Sequence, residues 1–145
     1  MIFDSLCSDD TFRFGEVLGE KAKKGEIYVL NGELGTGKTV LTQGFGKGLG
    51  INEAISSPTF TILQEYYEGR IPFYHLDVYR ITDVEEMEEI GIEDIFYGQG
   101  LCLIEWGEMI KEILPENVIT ITIEKNLEKG FDYRKIIMEG KDIQL

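Results

Sequence analysis

Apolar residues recur along this chain in two rhythms: a helical spacing of roughly 3.6 residues, and short continuous runs typical of buried strands. Phe14, Val17, Leu18 and Ala22 share one helical face behind cap candidates Ser8, Asp9 and Asp10, and Gly25 is a natural stop. Ile27 to Leu30 form an apolar run of the kind a sheet buries on both faces. Val40, Leu41, Phe45 and Leu49 return to helical spacing, in a segment that Gly44, Gly46 and Gly48 weaken. Strand patterns at 59–67 and 71–77 flank Glu68, Gly69 and Arg70, a hairpin signal. Thr82 and Glu85 form a capping box for a short acidic helix with Val84 and Met87 on its inner side. Gly98 and Gly100 bracket the entry to a buried-type strand, Leu101 to Glu105. Met109, Ile110, Ile113 and Leu114 predict a helix that Pro115 ends. Two last strand patterns, 117–124 and 131–139, are joined by a turn as an antiparallel pair. Parallel-type strands first and hairpins later predict a mixed sheet with helices packed on it.

The chain has 145 residues, no repeats and no linker-like stretch, which predicts one domain spanning 1–145. It is 43% hydrophobic and 28% charged, an ordinary globular balance. No apolar run reaches membrane length, and the opening residues carry Asp4 and no basic region. The expectation is a cytoplasmic protein without a membrane segment or secretory signal. Cys7 and Cys102 are far apart and lack metal-type neighbours, so they read as buried or idle thiols. Charge changes the picture more. Twenty-seven acids against fourteen bases give −13, a field that repels phosphodiester backbones. Direct binding of nucleic acid is disfavoured. The acids concentrate between Asp83 and Asp94, as a solvated helix face or as a docking surface for a basic partner.

Between the first apolar run and the second helix stands NGELGTGKT, 31–39. From Gly32 to Thr39 it matches G-x-x-x-x-G-K-[ST], with the required strand before and helix after. Gly32, Gly35 and Gly37 let backbone N–H groups approach phosphate oxygens without a Cβ in the way. Glu33, Leu34 and Thr36 carry the amides between them. The helix opening at Lys38, Thr39 and Val40 aims free N–H groups and its positive dipole end at the same anion. Lys38 would reach the β- and γ-phosphates, and the Thr39 hydroxyl would be an Mg²⁺ ligand. The loop therefore predicts a bound nucleoside triphosphate. No N-K-x-D motif follows, so ATP is favoured over GTP.

Mg²⁺ takes oxygen ligands and keeps several waters, so a carboxylate is wanted at the end of a nearby strand. Asp77 ends one apolar run and fits, holding the metal through water. Glu105 ends another, and could orient or deprotonate an attacking water or contact the metal directly. His75, the only histidine, is taken as one step out of alternation with the acid's neighbours and is read as structural. Trp106 is core, or covers the nucleotide.

NGELGTGKT, Ser57-Pro-Thr-Phe60, His75-Leu-Asp-Val-Tyr-Arg80 and Ile104-Glu-Trp106 occur in this order and at these separations. Together they resemble the TsaE family, small P-loop ATPases of bacterial tRNA threonylcarbamoyladenosine synthesis, and the resemblance runs from Thr11 to the final hairpin. It implies an α/β, P-loop NTPase-like three-layer fold with central parallel strands extended by antiparallel ones and helices on both faces. It implies ATP hydrolysis that is weak without the partners TsaB and TsaD, with tRNA met only indirectly. On this pattern Thr59 lies in a switch-like loop near the γ-phosphate and metal, Asp77 is the Walker B acid, and Glu105 serves hydrolysis and metal binding. The catalytic set is then Lys38, Thr59, Asp77 and Glu105, with Thr39, Asp77 and Glu105 at the metal. Thr11 matches a position near the adenine, and Arg134 is a further nucleotide-contact candidate. Thr36 departs from the usual alanine, another small residue.

Two other readings compete. A small-molecule kinase would bring several arginines over the transferred phosphoryl group, and this chain has only Arg13, Arg70, Arg80 and Arg134. A non-catalytic switch would use ATP to order the loop at Ser57–Phe60 and so set partner affinity.

Overall fold

The computed structural model describes residues 1–56, 58 and 62–145. Seven strands form one sheet: β1 (Ile2–Ser5), β2 (Ile27–Gly32), β3 (Leu63–Tyr66), β4 (Phe73–Asp77), β5 (Leu101–Glu105), β6 (Ile119–Lys125) and β7 (Arg134–Glu139). Their order is β1-β7-β6-β2-β5-β4-β3. The four central strands, β6, β2, β5 and β4, are parallel, while β3 and the β7–β1 pair extend the sheet antiparallel on either side. The α/β, P-loop-like architecture expected from the sequence is present.

Helices cover both faces, as alternation along the strands dictates. Tyr28, Leu30, Leu101, Leu103 and Ile121 point to one side, where Phe14 and Leu18 of α1 (Ser8–Lys21) and Leu41 and Phe45 of α2 (Lys38–Gly48) complete a core. Ile27, Cys102, Ile104 and Leu76 point to the other. There they meet Met87 of α3 (Glu86–Glu89), Ile92, Ile95 and Phe96 of α4 (Ile92–Phe96), and Ile110. Burial pushes the Cys102 thiol pKa up, while Cys7 is exposed, and both are free. No helix among the described residues is long and apolar enough to cross a membrane.

Several local expectations shift. The capping box uses Glu86 rather than Glu85: its carboxylate accepts from the amides of Thr82 at 2.7 Å and Asp83 at 3.1 Å. The segment expected as a helix before Pro115 is a 3₁₀ helix, Gly107–Ile113, with a kink at Ile110. Strand β1 was not expected, because four residues with one exposed isoleucine give too short a pattern to read. The strand expected from 59 begins, among the described residues, at Leu63.

Candidate functional site

Strand β2 ends at Gly32, opposite Ile123 of β6. A Cβ on Gly32 would lie 2.6 Å from the Thr36 hydroxyl oxygen and 3.2 Å from the Ile123 carbonyl, so only glycine lets the loop fold this tightly. The chain turns through left-handed conformations at Gly35 (φ 80°) and Gly37 (φ 109°) before α2 begins at Lys38. Thr36 closes the turn, its amide and hydroxyl donating to the Glu33 carbonyl at 3.2 and 2.8 Å. Its buried side chain is thereby satisfied, which is how a threonine is accommodated there.

Arg134 braces the same loop from β7. Its Nε donates to the Thr36 carbonyl at 2.8 Å and an Nη to the Gly35 carbonyl at 3.4 Å. In a trans peptide the N–H points opposite to the carbonyl, so drawing the Thr36 oxygen toward Arg134 turns the Gly37 amide the other way. Arg134 thus acts on the loop itself. Arg70, by contrast, caps the far end of α1, donating to the carbonyls of Gly19, Glu20 and Ala22.

The two strand-end acids meet this loop. Asp77 and Glu105 are direct partners across β4 and β5, and Leu30 and Glu105 across β2 and β5. The three parallel strands therefore finish side by side. Lys38 Nζ is 3.9 Å from Glu105 Oε1. The Asp77 carboxylate accepts from the Tyr79 amide at 3.1 Å. A cavity of about 430 Å³ lies between, lined by Leu34, Gly35, Gly37, Lys38, Thr39, Asp77, Glu105 and Trp106. This is within the range of small-molecule sites.

Trp106 has a part in both of its readings: it packs, half-buried, against the core on one face of the sheet and also lines the cavity. It follows Glu105 with φ 63°, the one described non-glycine residue in the left-handed region, and that turn swings the indole beside the lysine. Lys38 Nζ lies 5.1 Å from the ring centroid, and the Tyr79 ring packs on the indole at 4.7 Å. Trp106 and Lys38 also line a second cavity of about 640 Å³, bounded by Asn31, Glu33, Thr122 and Glu124. Nothing in the strand pattern of β6 had marked its end as part of a pocket.

The residues present fit a triphosphate and Mg²⁺. The glycine turns would be closed by a Cβ or strained by one, a helix N-terminus and an ammonium face the cavity, and Thr39, Asp77 and Glu105 offer hard oxygen donors. Thr11 lies close by, its methyl 3.8 Å from where a Cβ on Gly37 would stand, but its buried hydroxyl is bonded to Ser5 at 2.7 Å. Val40 continues the first turn of α2. Thr59 lies outside the described residues.

One residue read as structural belongs with the acids. Residues 75 and 77 are two apart on one strand, so His75 shares Asp77's face, contrary to the alternation expected. It is 1% exposed, and its Nε2 is 2.9 Å from Glu105 Oε2. The readable signal was that i, i+2 spacing.

A family model described as "Threonylcarbamoyl adenosine biosynthesis protein TsaE" matches residues 7–136. The chain is similar to the tRNA threonylcarbamoyladenosine biosynthesis protein TsaE of Bacillus subtilis, 44% identical over 88% of this chain and 78% of that protein. It is also similar to the Treponema pallidum protein of the same name, 45% identical over 82% and 87% of the two chains. A crystal structure of Bacillus subtilis YdiB superposes with a TM-score of 0.76 and 37% identity, covering 94% of this chain and 82% of that one. With the loop, the paired acids and these likenesses in agreement, the chain belongs to the TsaE family.

Proposed function

We propose that this protein is an ATP-binding and ATP-hydrolysing subunit, working in the cytoplasm, that supports threonylcarbamoylation of adenosine in tRNA together with TsaB- and TsaD-like partners. The carrying observation is the convergence of Lys38, Asp77 and Glu105 at the ends of three adjacent parallel strands, beside a glycine loop that opens a helix. Gly32 to Val40 would wrap the phosphates through backbone amides, and Lys38 would neutralise their outer oxygens. Thr39, Asp77 and Glu105 would hold Mg²⁺, which, when bound, draws charge from the phosphate oxygens. Glu105 would also orient a water or accept its proton, while Trp106 shields the lysine side. Thr11 and Arg134 flank the loop, Arg134 by fixing its carbonyls.

The arginines support hydrolysis over a metabolite kinase. Arg70 is committed to a helix end, Arg134 to the loop backbone and Arg13 to Glu16 at 2.6 Å, which leaves the exposed Arg80, a poor supply for a phosphoryl-covering lid. The charge of −13 favours contact with the partner proteins over contact with tRNA.

The test is calorimetry and turnover with Mg-ATP, in the presence of the partners. Lys38→Ala should abolish the binding heat. Glu105→Gln should keep binding and lower hydrolysis about 100-fold, the usual scale for losing a general base. Absence of heat with the wild-type protein, alone and with partners, would sink the reading. A Glu105→Gln protein that binds ATP, hydrolyses none and still supports tRNA modification in full would point to the switch instead.

A further inference from the structure

The proposed hydrolysis asks one carboxylate, on a side chain with three rotatable bonds, to keep a single orientation. Glu105 is 5% exposed, and its two oxygens have different neighbours. Oε1 faces Lys38 Nζ at 3.9 Å, on the cavity side. Oε2 is 2.9 Å from His75 Nε2. His75 is anchored in turn: its ring stacks on Phe73 with planes 9° apart and centroids 6.1 Å apart. Its backbone sits opposite Leu103, so the imidazole reaches one pleat forward along the sheet to meet Glu105.

The other ring nitrogen sets the direction of this bond. His75 Nδ1 is buried and has no hydrogen-bond partner among the described residues. In the tautomer with hydrogen on Nε2, that hydrogen points at Oε2 and Nδ1 is a bare acceptor. The opposite tautomer would aim a lone pair at the carboxylate and bury an unmatched N–H, two penalties instead of one. A leucine in this place would bring no unmatched ring nitrogen, but it could not donate to Oε2. Among the described residues, the imidazole's one polar contact is with the acid.

We infer that His75 is a positioning residue: its Nε2–H fixes Glu105 Oε2 and thereby holds Oε1 toward Lys38 and the cavity. Its side chain acts through Glu105, which lines the cavity. This rests on the proposed role of Glu105 in hydrolysis, and the test is built so that the two can fail separately.

The protein assembled with its partners is assayed as wild type, His75→Leu and His75→Gln, for kcat and KM with Mg-ATP. The amide nitrogen of glutamine can stand near Nε2 and donate to Oε2, whereas leucine cannot. Expected is a kcat at least tenfold lower for His75→Leu with KM for ATP changed less than about twofold, and recovery to within about threefold in His75→Gln. In a Glu105→Gln background, His75→Leu should add little further loss, as expected for residues acting as one unit. Trp106, the only tryptophan, gives a readout without nucleotide: its emission should shift in His75→Leu, where the bond to Oε2 is lost and the carboxylate's position against Lys38 changes, and return in His75→Gln. If His75→Leu does not fold, His75→Asn, whose amide is too short to reach Oε2, takes its place. Wild-type kcat and unshifted emission in the leucine or asparagine variant would overturn the inference, as would equal losses in that variant and His75→Gln. A wild-type complex that hydrolyses no ATP would overturn the functional reading, leaving the Trp106 emission to decide whether His75 holds Glu105.

Discussion

At the scale of single residues, the site depends on a turn that a large aromatic side chain is not suited to make. Trp106 adopts φ 63°, where an L side chain crowds the following carbonyl at a cost of about 1–2 kcal/mol. The left-handed turn lets the chain leave β5 directly after Glu105 and lays the indole against Lys38 and Tyr79. Two truncations separate backbone from ring. Trp106→Ala loses the ring and keeps the crowding, whereas Trp106→Gly loses both. The glycine variant should therefore be more stable than the alanine variant by about 1 kcal/mol in urea unfolding, against the usual order in which glycine is the worse residue. The usual order would show that the left-handed turn does not persist in solution. Lys38 and Thr39 were legible because a loop motif demands them, and Asp77 and Glu105 because each ends an apolar run. The turn at Trp106 was not legible, since positive φ is expected of glycine. The pairing of His75 with Glu105 depended on counting strand parity correctly, and Thr59 lies outside the described residues.

At the scale of elements, the α1–α2 contact places the loop helix. Glycines in α2 read from sequence as weak points, and in the fold they are where the helices meet. A Cβ on Gly44 would stand 2.1 Å from the Phe12 carbonyl oxygen, and one on Gly48 2.1 Å from that of Glu16. On α1 the relation is returned: a Cβ on Gly15 or Gly19 would stand 2.2 Å from a carbonyl oxygen of α2, that of Leu41 or Phe45 respectively. The obstacles are backbone atoms, which cannot rotate aside. Gly44→Ala should gain up to about 1 kcal/mol in helix propensity and lose more to overpacking, for a net destabilisation of about 2 kcal/mol. A thermal melt should fall by several degrees, and an unchanged or raised midpoint would show that the helices do not pack this closely. The signal was present in sequence as two pairs of glycines four residues apart, which is one helix face. It was read as propensity because propensity is local, whereas close packing needs the partner helix in view. The parallel core strands, each a short apolar run, were legible for the opposite reason: their burial on both faces is written into their own residues.

At the scale of the whole molecule, the charge of −13 was legible from composition, but where it gathers and what it leaves accessible were not. Met87 of α3 is fully buried, which fixes the helix and turns its neighbours outward. Glu86 is committed to capping, since its carboxylate holds the amides of Thr82 and Asp83, and these bonds lower its pKa. Glu85, Glu88 and Glu93 rim a cleft of about 250 Å³ floored by Val84, Ile92 and Phe96. An acidic rim around an apolar floor suits a basic partner segment with an apolar anchor, and on the proposed reading this is a face for the TsaB- or TsaD-like protein. Reversing Glu85, Glu88 and Glu89 to lysine leaves the Glu86 cap untouched, so folding should be preserved. Affinity for the partners should then drop at least tenfold at low salt. The gap between wild type and variant should narrow as ionic strength rises and the Debye length shrinks from about 30 Å at 0.01 M to about 3 Å at 1 M. Equal affinities at low salt, measured on variants with wild-type melting curves, would remove this face from the interface and leave the surface around the nucleotide loop as the contact.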